Sequence, residues 1–239
     1  TKKDVERNMH IEVEKRRTYA AMVSSMDDGI GLILDKLEEK KIIDNTIVIF
    51  FSDNGGVEWY NFSDNGVLRG IKGDFFEGGI RVPFTMQWPK KIKPGITYDK
   101  PIIALDVFAT VASAASAEKY IKNDIDGVDL LPYLTGDKFG LPHEYLYWQN
   151  PDKDIDVVRD ERYKYLRIKN DEYIFDLKND ISEETNIINS SKPIYDRLKS
   201  QFKEWEKGMI DPVFMDLGMG KEYNKLNPDR WYNDSNPKK

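Results

Sequence analysis

The sequence contains no cysteine and only two histidines. The first absence excludes disulfides and thiolate metal sites, but it leaves the redox compartment open, because many exported proteins also lack disulfides. The second leaves little for a histidine-rich zinc site or a Ser/His/Asp triad: His10 stands alone in a charged stretch and His143 follows Pro142. Long apolar runs are missing too. Thr46 to Phe51 and Ile102 to Ala117 are the longest, short of the roughly 20 residues that span a bilayer. Nor is there an excess of positive charge. Lys and Arg number 36 against 42 Asp and Glu, a formal net charge of −6, which argues against nucleic acid as a partner and reads the lysines as solvated surface. The opening Thr1-Lys2-Lys3-Asp4 has none of the apolar core of a signal peptide, so a leader was either removed or never present.

The 239 residues are 40% apolar, enough to bury a core in one large domain or two small ones. From Tyr19 the apolar residues Met22, Val23, Met26, Ile30, Ile33, Leu34 and Leu37 recur at steps of three and four, which predicts an amphipathic helix ending near Lys40. Thr46 to Phe51 is β-branched and aromatic without alternation, the pattern of a strand covered on both faces in a parallel sheet. Helix followed by buried strand implies an α/β layer. A second strand is expected over Arg81 to Trp88 and a second helix over Ile102 to Ala115.

After Gly136 the texture changes. Short aromatic runs at Tyr145 to Trp148, Asp156 to Arg159, Tyr163 to Ile168 and Tyr173 to Leu177 predict an antiparallel sheet, and Ile194, Leu198, Phe202 and Trp205 predict one helix covering it. The expected fold class is therefore α/β: part of a mostly parallel sheet sandwiched by helices, over residues 1–138, followed by a small α+β subdomain with an antiparallel sheet and one covering helix, over residues 139–239. The Pro/Asn/Gly-rich tail after Gly208 is expected to wrap the surface irregularly.

Between the first two strands lies a stretch from Ser52 to Gly79 that is too polar for core and too long for a simple connection. It opens with Ser52-Asp53-Asn54-Gly55-Gly56, a carboxylate and an amide directly after a buried strand, where open α/β sheets present ligands. Adjacent hard oxygens on a glycine-relaxed backbone suit Ca²⁺ or Mg²⁺; an Asx turn closing the strand uses the same residues. Further on, Lys72 is held between Gly70 and Gly73. Its compact ammonium suits a sulfate or phosphate oxygen, and equally a surface turn. Glu77 and Arg81 read as a buried structural pair. Trp59, Tyr60 and Phe62 follow the oxygen pair closely and serve either sugar stacking or local packing.

The order of these pieces resembles the type I sulfatases of the alkaline phosphatase superfamily, from Tyr19 to Trp205. The resemblance is carried by Tyr19-Ala20-Ala21-Met22 with Asp27 and Ile30-Gly31, Asn45-Thr46, the Ser52-Asp53-Asn54-Gly55 strand end, Lys72 followed by Glu77-Gly78-Gly79-Ile80-Arg81-Val82-Pro83, and Trp88-Pro89. Leu105 to Thr110, Asp126-Gly127-Val128, Tyr163-Lys164-Tyr165, and Phe175-Asp176-Leu177 with Glu184 and Asn186 extend it. It implies that Asp53 and Asn54 are ligands of a divalent cation, calcium rather than magnesium, and that Lys72 is a catalytic and substrate-binding contact to a sulfate ester. Asp27 and Asp106 look structural.

In that family the nucleophile is a hydrated formylglycine made from Cys or Ser within Cys/Ser-x-Pro-x-Arg, which attacks sulfur. Here no cysteine exists, and Ser191-Lys192-Pro193-Ile194-Tyr195 has tyrosine where arginine belongs. The chain is thus expected to be the C-terminal part of a sulfuric ester hydrolase, inactive alone, with formylglycine in a missing N-terminal segment. A sulfated small molecule or carbohydrate is the expected substrate by analogy, and that missing segment or a second copy the expected partner. The alternatives are a phosphate or phosphonate ester hydrolase of the same superfamily and a non-catalytic binding fragment.

Overall fold

The computed structural model describes residues 1–121 and 124–210; the expected irregular tail therefore lies largely outside the described residues. The chain divides into two compact units, the first comprising Thr1–Leu146, Asp160–Arg162 and Asp176–Thr185, the second Tyr147–Arg159, Tyr163–Phe175 and the described chain from Asn186. The class is mixed α/β with antiparallel sheets and helices. Among the described residues no helix is long and apolar enough to cross a membrane.

In the first unit a short helix α1 (Lys2–Arg7) packs on the long α2 (Glu14–Glu39), to which Arg7 is tied through Asp28 at 2.7 Å. Helix α2 starts five residues before the apolar period does, because Glu14 to Arg17 are good helix formers that carry no apolar signal. Strand β1 (Val48–Phe51) follows. Two four-residue helices, α3 (Glu58–Asn61) and α4 (Glu77–Ile80), then punctuate the long polar stretch before strand β2 (Phe84–Gln87).

The strand pairing differs from the expectation for Thr46 to Phe51. Strand β1 pairs antiparallel with β2, in register Val48 with Gln87 and Phe51 with Phe84. The reason is the connection: a looping segment, rather than a crossover helix, returns the chain beside β1, and that geometry closes an antiparallel pair. Neither is β1 covered on both faces by the described residues, since Phe50 and Phe51 are each 38% exposed.

Helix α5 (Leu105–Ala114) and the short α6 (Leu131–Thr135) complete the helical part of this unit. Their inner faces bury Ala109, Ala112 and Tyr133, and Leu130, which caps the start of α6, is buried with them. Asp106 is fully buried near the start of α5 and accepts the amides of Ile103 and Val128 at 2.9 and 2.8 Å, with His143 Nε2 2.7 Å from its Oδ1. This is a loop-fastening carboxylate, in keeping with its structural reading. Asp27 instead lies exposed on α2.

The second unit is a four-stranded sheet in the order β3 (Leu146–Asn150), β4 (Ile155–Arg159), β5 (Tyr163–Ile168), β6 (Asp171–Asp176). Val157 faces Leu166 and Val158 faces Tyr165 across the β4–β5 ladder, and all four are buried. Helix α7 (Lys192–Glu206) covers β4 and β5 with Leu198 and Phe202, both buried. Trp205, one turn on, stacks on Tyr147 with ring centroids 4.9 Å apart and stays half-buried.

A polar clasp joins α7 to the sheet. The Glu172 carboxylate accepts Tyr165 at 2.6 Å, Tyr195 at 2.8 Å and Lys199 at 2.7 Å. Burial pushes the Glu172 carboxyl up, but the bonds from Lys199, Tyr165 and Tyr195 together outweigh it and hold the group down at about 2. Burial, reinforced by the same carboxylate, raises the Tyr165 hydroxyl.

Candidate functional site

The residues singled out for chemistry lie where β1 ends, and close backbone approach among glycines gathers them. Gly55 N donates to Gly79 O at 3.0 Å, and Lys72 N to Gly56 O at 3.4 Å. Gly78 N donates to Arg69 O at 2.6 Å. A Cβ on Gly55 would stand 1.7 Å from Gly78 O, and one on Gly78 would meet the carbonyl oxygens of Gly70, Arg69 and Leu68 at 2.4 to 2.7 Å. Only glycine fits at either position. Gly73, directly after Lys72, has φ of +91°, which sets the turn that presents the lysine.

Asn65 ties the loops together. Its side-chain oxygen accepts Gly56 N at 2.9 Å, and its amide nitrogen donates to Gly56 O at 3.1 Å and Gly70 O at 3.0 Å. The segment after β1 is thereby fastened to the segment that carries Lys72. Sequence reasoning did not single out Asn65, and nothing in its neighbours signals the bridge.

Asp53 lies exposed, and its carboxylate has no hydrogen bond or ion pair among the described residues. Asn54 is half-buried; its amide nitrogen donates to Gly55 O at 2.9 Å, leaving the side-chain oxygen available. Ser52 Oγ closes the turn on Asn54 O at 2.9 Å. Asp53 therefore does not act as the closing side chain of an Asx turn here. The two residues offer consecutive hard-oxygen donors, a chemistry suited to calcium or magnesium. Among the described residues no group of three or more His, Cys, Asp or Glu side chains converges for a metal. Lys72 is exposed as well, with its ammonium unpaired among the described residues.

The Glu77 and Arg81 pair is more lopsided than a buried ion pair. Their charged atoms are 3.6 Å apart, yet Glu77 is 1% exposed and Arg81 55%. Glu77 sits at the head of α4, and its amide donates to Glu183 Oε2 at 2.6 Å. Glu183 is itself fully buried with φ of +54°, and its carbonyl accepts Arg69, whose guanidinium lies 4.0 Å over the Phe76 ring. The family resemblance includes Glu184, which is exposed; the inward acid is its neighbour. Two adjacent glutamates in a charged turn give no periodic cue to tell them apart.

Two family models match the chain. The one described as Sulfatase spans residues 1–117, and the one described as N-sulphoglucosamine sulphohydrolase, C-terminal, spans residues 72–208. An uncharacterized sulfatase, YdeN of Escherichia coli K12, is 38% identical over 162 residues, covering 65% of this chain and 28% of that protein. Steryl-sulfatase of Mus musculus is 41% identical over 136 residues, covering 54% of this chain and 22% of that protein. The crystal structure of Ps i-CgsB in complex with k-i-k-neocarrahexaose superposes with a TM-score of 0.81 at 26% identity, covering 97% of this chain and 52% of that one. The chain thus spans less than a third of these two relatives and about half of the solved structure. With one of its models matching more than half of the residues and the solved fold following nearly all of them, the chain belongs to the sulfatase family, whose C-terminal portion it matches.

Proposed function

We propose that this chain is the cation-ligand and lysine-bearing part of a sulfuric ester hydrolase. The observation that carries the reading is the pair of exposed, unpartnered charges, Asp53 and Lys72, on two segments fastened together through Gly56 and Asn65. A structural carboxylate or lysine at such a knot gains from a partner, whereas a ligand-binding one keeps its atoms free. Asp53 and Asn54 would hold a divalent cation, calcium in preference to magnesium, which when bound offsets negative charge on sulfate oxygens. The Lys72 ammonium donates to an oxygen of the ester, either holding the sulfate or assisting the departing alcohol oxygen.

Two protein ligands fall short of the six to eight oxygens calcium takes, so the remaining ligands, like the formylglycine nucleophile, are expected from outside this chain. Exposed apolar faces support a covering partner, either a preceding sulfatase segment or a second copy. Met22, Leu32 and Ile33 on α2 and Leu105, Phe108 and Val111 on α5 are all open to solvent.

The test is Asp53→Ala in the enzyme joined to its preceding segment, with calcium affinity read by calorimetry and turnover on an aryl sulfate and an aryl phosphonate. Loss of both calcium binding and sulfate turnover is expected, with Asn54→Ala milder. Parental affinity and rate in Asp53→Ala would remove this strand end from the site, and preferential turnover of the phosphonate would transfer the chain to that chemistry.

A further inference from the structure

Four residues beyond Asn54, helix α3 carries two aromatic rings into solvent. Trp59 is 53% exposed and Tyr60 63%, with ring centroids 5.9 Å apart at 73°, edge to face. Phe62 behaves differently, although it belongs to the same aromatic cluster in sequence. It is half-buried in a left-handed conformation, its carbonyl accepts Arg16 at 2.5 Å, and Lys15 lies 5.4 Å over its ring. The trio therefore splits into one packing residue and two presented ones.

The presentation is rigid. Val57 is buried at the root of α3, and its carbonyl accepts the amides of Tyr60 and Asn61 at 3.0 and 2.9 Å. Glu58 Oε1 accepts Asn65 N at 2.9 Å, and Asn65 is the residue that fastens Gly56 to Gly70. The Glu58 and Asn65 side chains thus connect the helix that carries the two rings to the segments bearing Asp53 and Lys72. Their neighbours in sequence also differ from those of the apolar faces on α2 and α5, which repeat at helical spacing and call for a protein layer. Trp59 and Tyr60 stand in a stretch with exposed Asp53, Glu58 and Asp64, a mixture that suits a ligand with a flat apolar face and a rim of hydroxyls, as a pyranose has.

We propose that Trp59, with Tyr60 at its edge, is a platform for a sugar ring of the substrate, which makes a sulfated oligosaccharide the substrate class. The proposal rests on the sulfate-ester reading of Asp53, Asn54 and Lys72. Stacking recognises the sugar face rather than the sulfate, so it contributes to binding with or without the ester. A loss of about tenfold in saccharide affinity is expected on removing the ring, the scale of one good aromatic contact.

The experiment uses the enzyme joined to its preceding segment, with a sulfated galactan digest and a heparin digest as oligosaccharide probes, their chemically desulfated counterparts, and 4-nitrophenyl sulfate as a small ester. Trp59→Ala should raise KM for the oligosaccharide about tenfold, lower kcat little, and affect the small ester several times less; Trp59→Phe should recover most of the loss. By calorimetry, Trp59→Ala should also weaken binding of the desulfated digest. An equal loss on both kinds of ester, or unchanged saccharide kinetics, overturns the proposal. If the parent hydrolyses no sulfate, the sulfate-ester reading falls, and the calorimetry still decides for Trp59. Saccharide binding that the alanine variant loses upholds the platform, whereas binding it retains, or none by the parent, overturns it.

Discussion

Replacing Gly55 by alanine tests whether the glycine knot positions Asp53. The added Cβ would lie 1.7 Å from Gly78 O, half the 3.4 Å at which ordinary contact begins, with Gly78 C at 2.8 Å and Gly79 Cα at 3.1 Å. All three are backbone atoms, so no flexible side-chain end can swing away. The loops must part by well over an ångström, and the Gly55 to Gly79 hydrogen bond of 3.0 Å is lost with them. Overpacking of about 1–3 kcal/mol, plus about 1 kcal/mol for the bond, gives a loss of roughly 2–4 kcal/mol. Gly29 supplies the contrast. It lies within α2 with nothing within 4 Å of an added Cβ, so Gly29→Ala should stabilise by about 0.5–1 kcal/mol through helix propensity alone. Urea unfolding followed by circular dichroism measures both. A Gly55→Ala protein that unfolds like its parent would refute the close approach, and with it the account of how Asp53 is held.

Two further outcomes follow from the clasp and from the lysine. Glu172 titrates at about 2 against an ordinary 4.5, so its contribution is fully present above about pH 4.5 and drains away as pH falls toward 2. Glu172→Gln should cost about 2–3 kcal/mol at pH 6 and flatten the stability profile of the parent between pH 5 and 2; parallel profiles for the two proteins would discard the clasp as the cause. In the enzyme joined to its preceding segment, Lys72→Ala should lower kcat more than it raises KM if the ammonium meets the departing oxygen, and a change in KM alone would reassign it to ground-state sulfate binding.

Regular elements with a periodic apolar face were legible in the sequence to within a few residues. The helix expected from Tyr19 is α2, the run Tyr163 to Ile168 is β5 to the residue, and the helix through Ile194 and Trp205 is α7. Short helices were not, because the four residues of α3 or α4 complete barely one turn and show no period. At the candidate site the sequence supplied Asp53, Asn54 and Lys72 as residue types in a glycine-rich setting. It could not supply Asn65 or Glu183, whose roles come from contacts that no local pattern encodes. Glu183 meets the Glu77 amide 106 positions away.

The mismatch at β1 carries its own meaning. Val48-Ile49-Phe50-Phe51 has the composition of a strand with protein on both faces, yet the described residues give it one antiparallel neighbour and leave both phenylalanines 38% exposed. The exposed stripes of α2 and α5 repeat the pattern on helices. Sequence patterning reports the burial for which a chain is built, so a strand, two helices and an apolar excess that agree with one another point to a layer these residues do not supply. Asp53 stands two residues beyond β1. On the function proposed, whatever covers β1 would also approach Asp53 and could bring the oxygens that a cation still needs. Covering the apolar faces and completing the cation site would then be one event: a partner that binds the folded chain stabilises it by mass action, and calcium affinity should rise with that stability rather than independently of it.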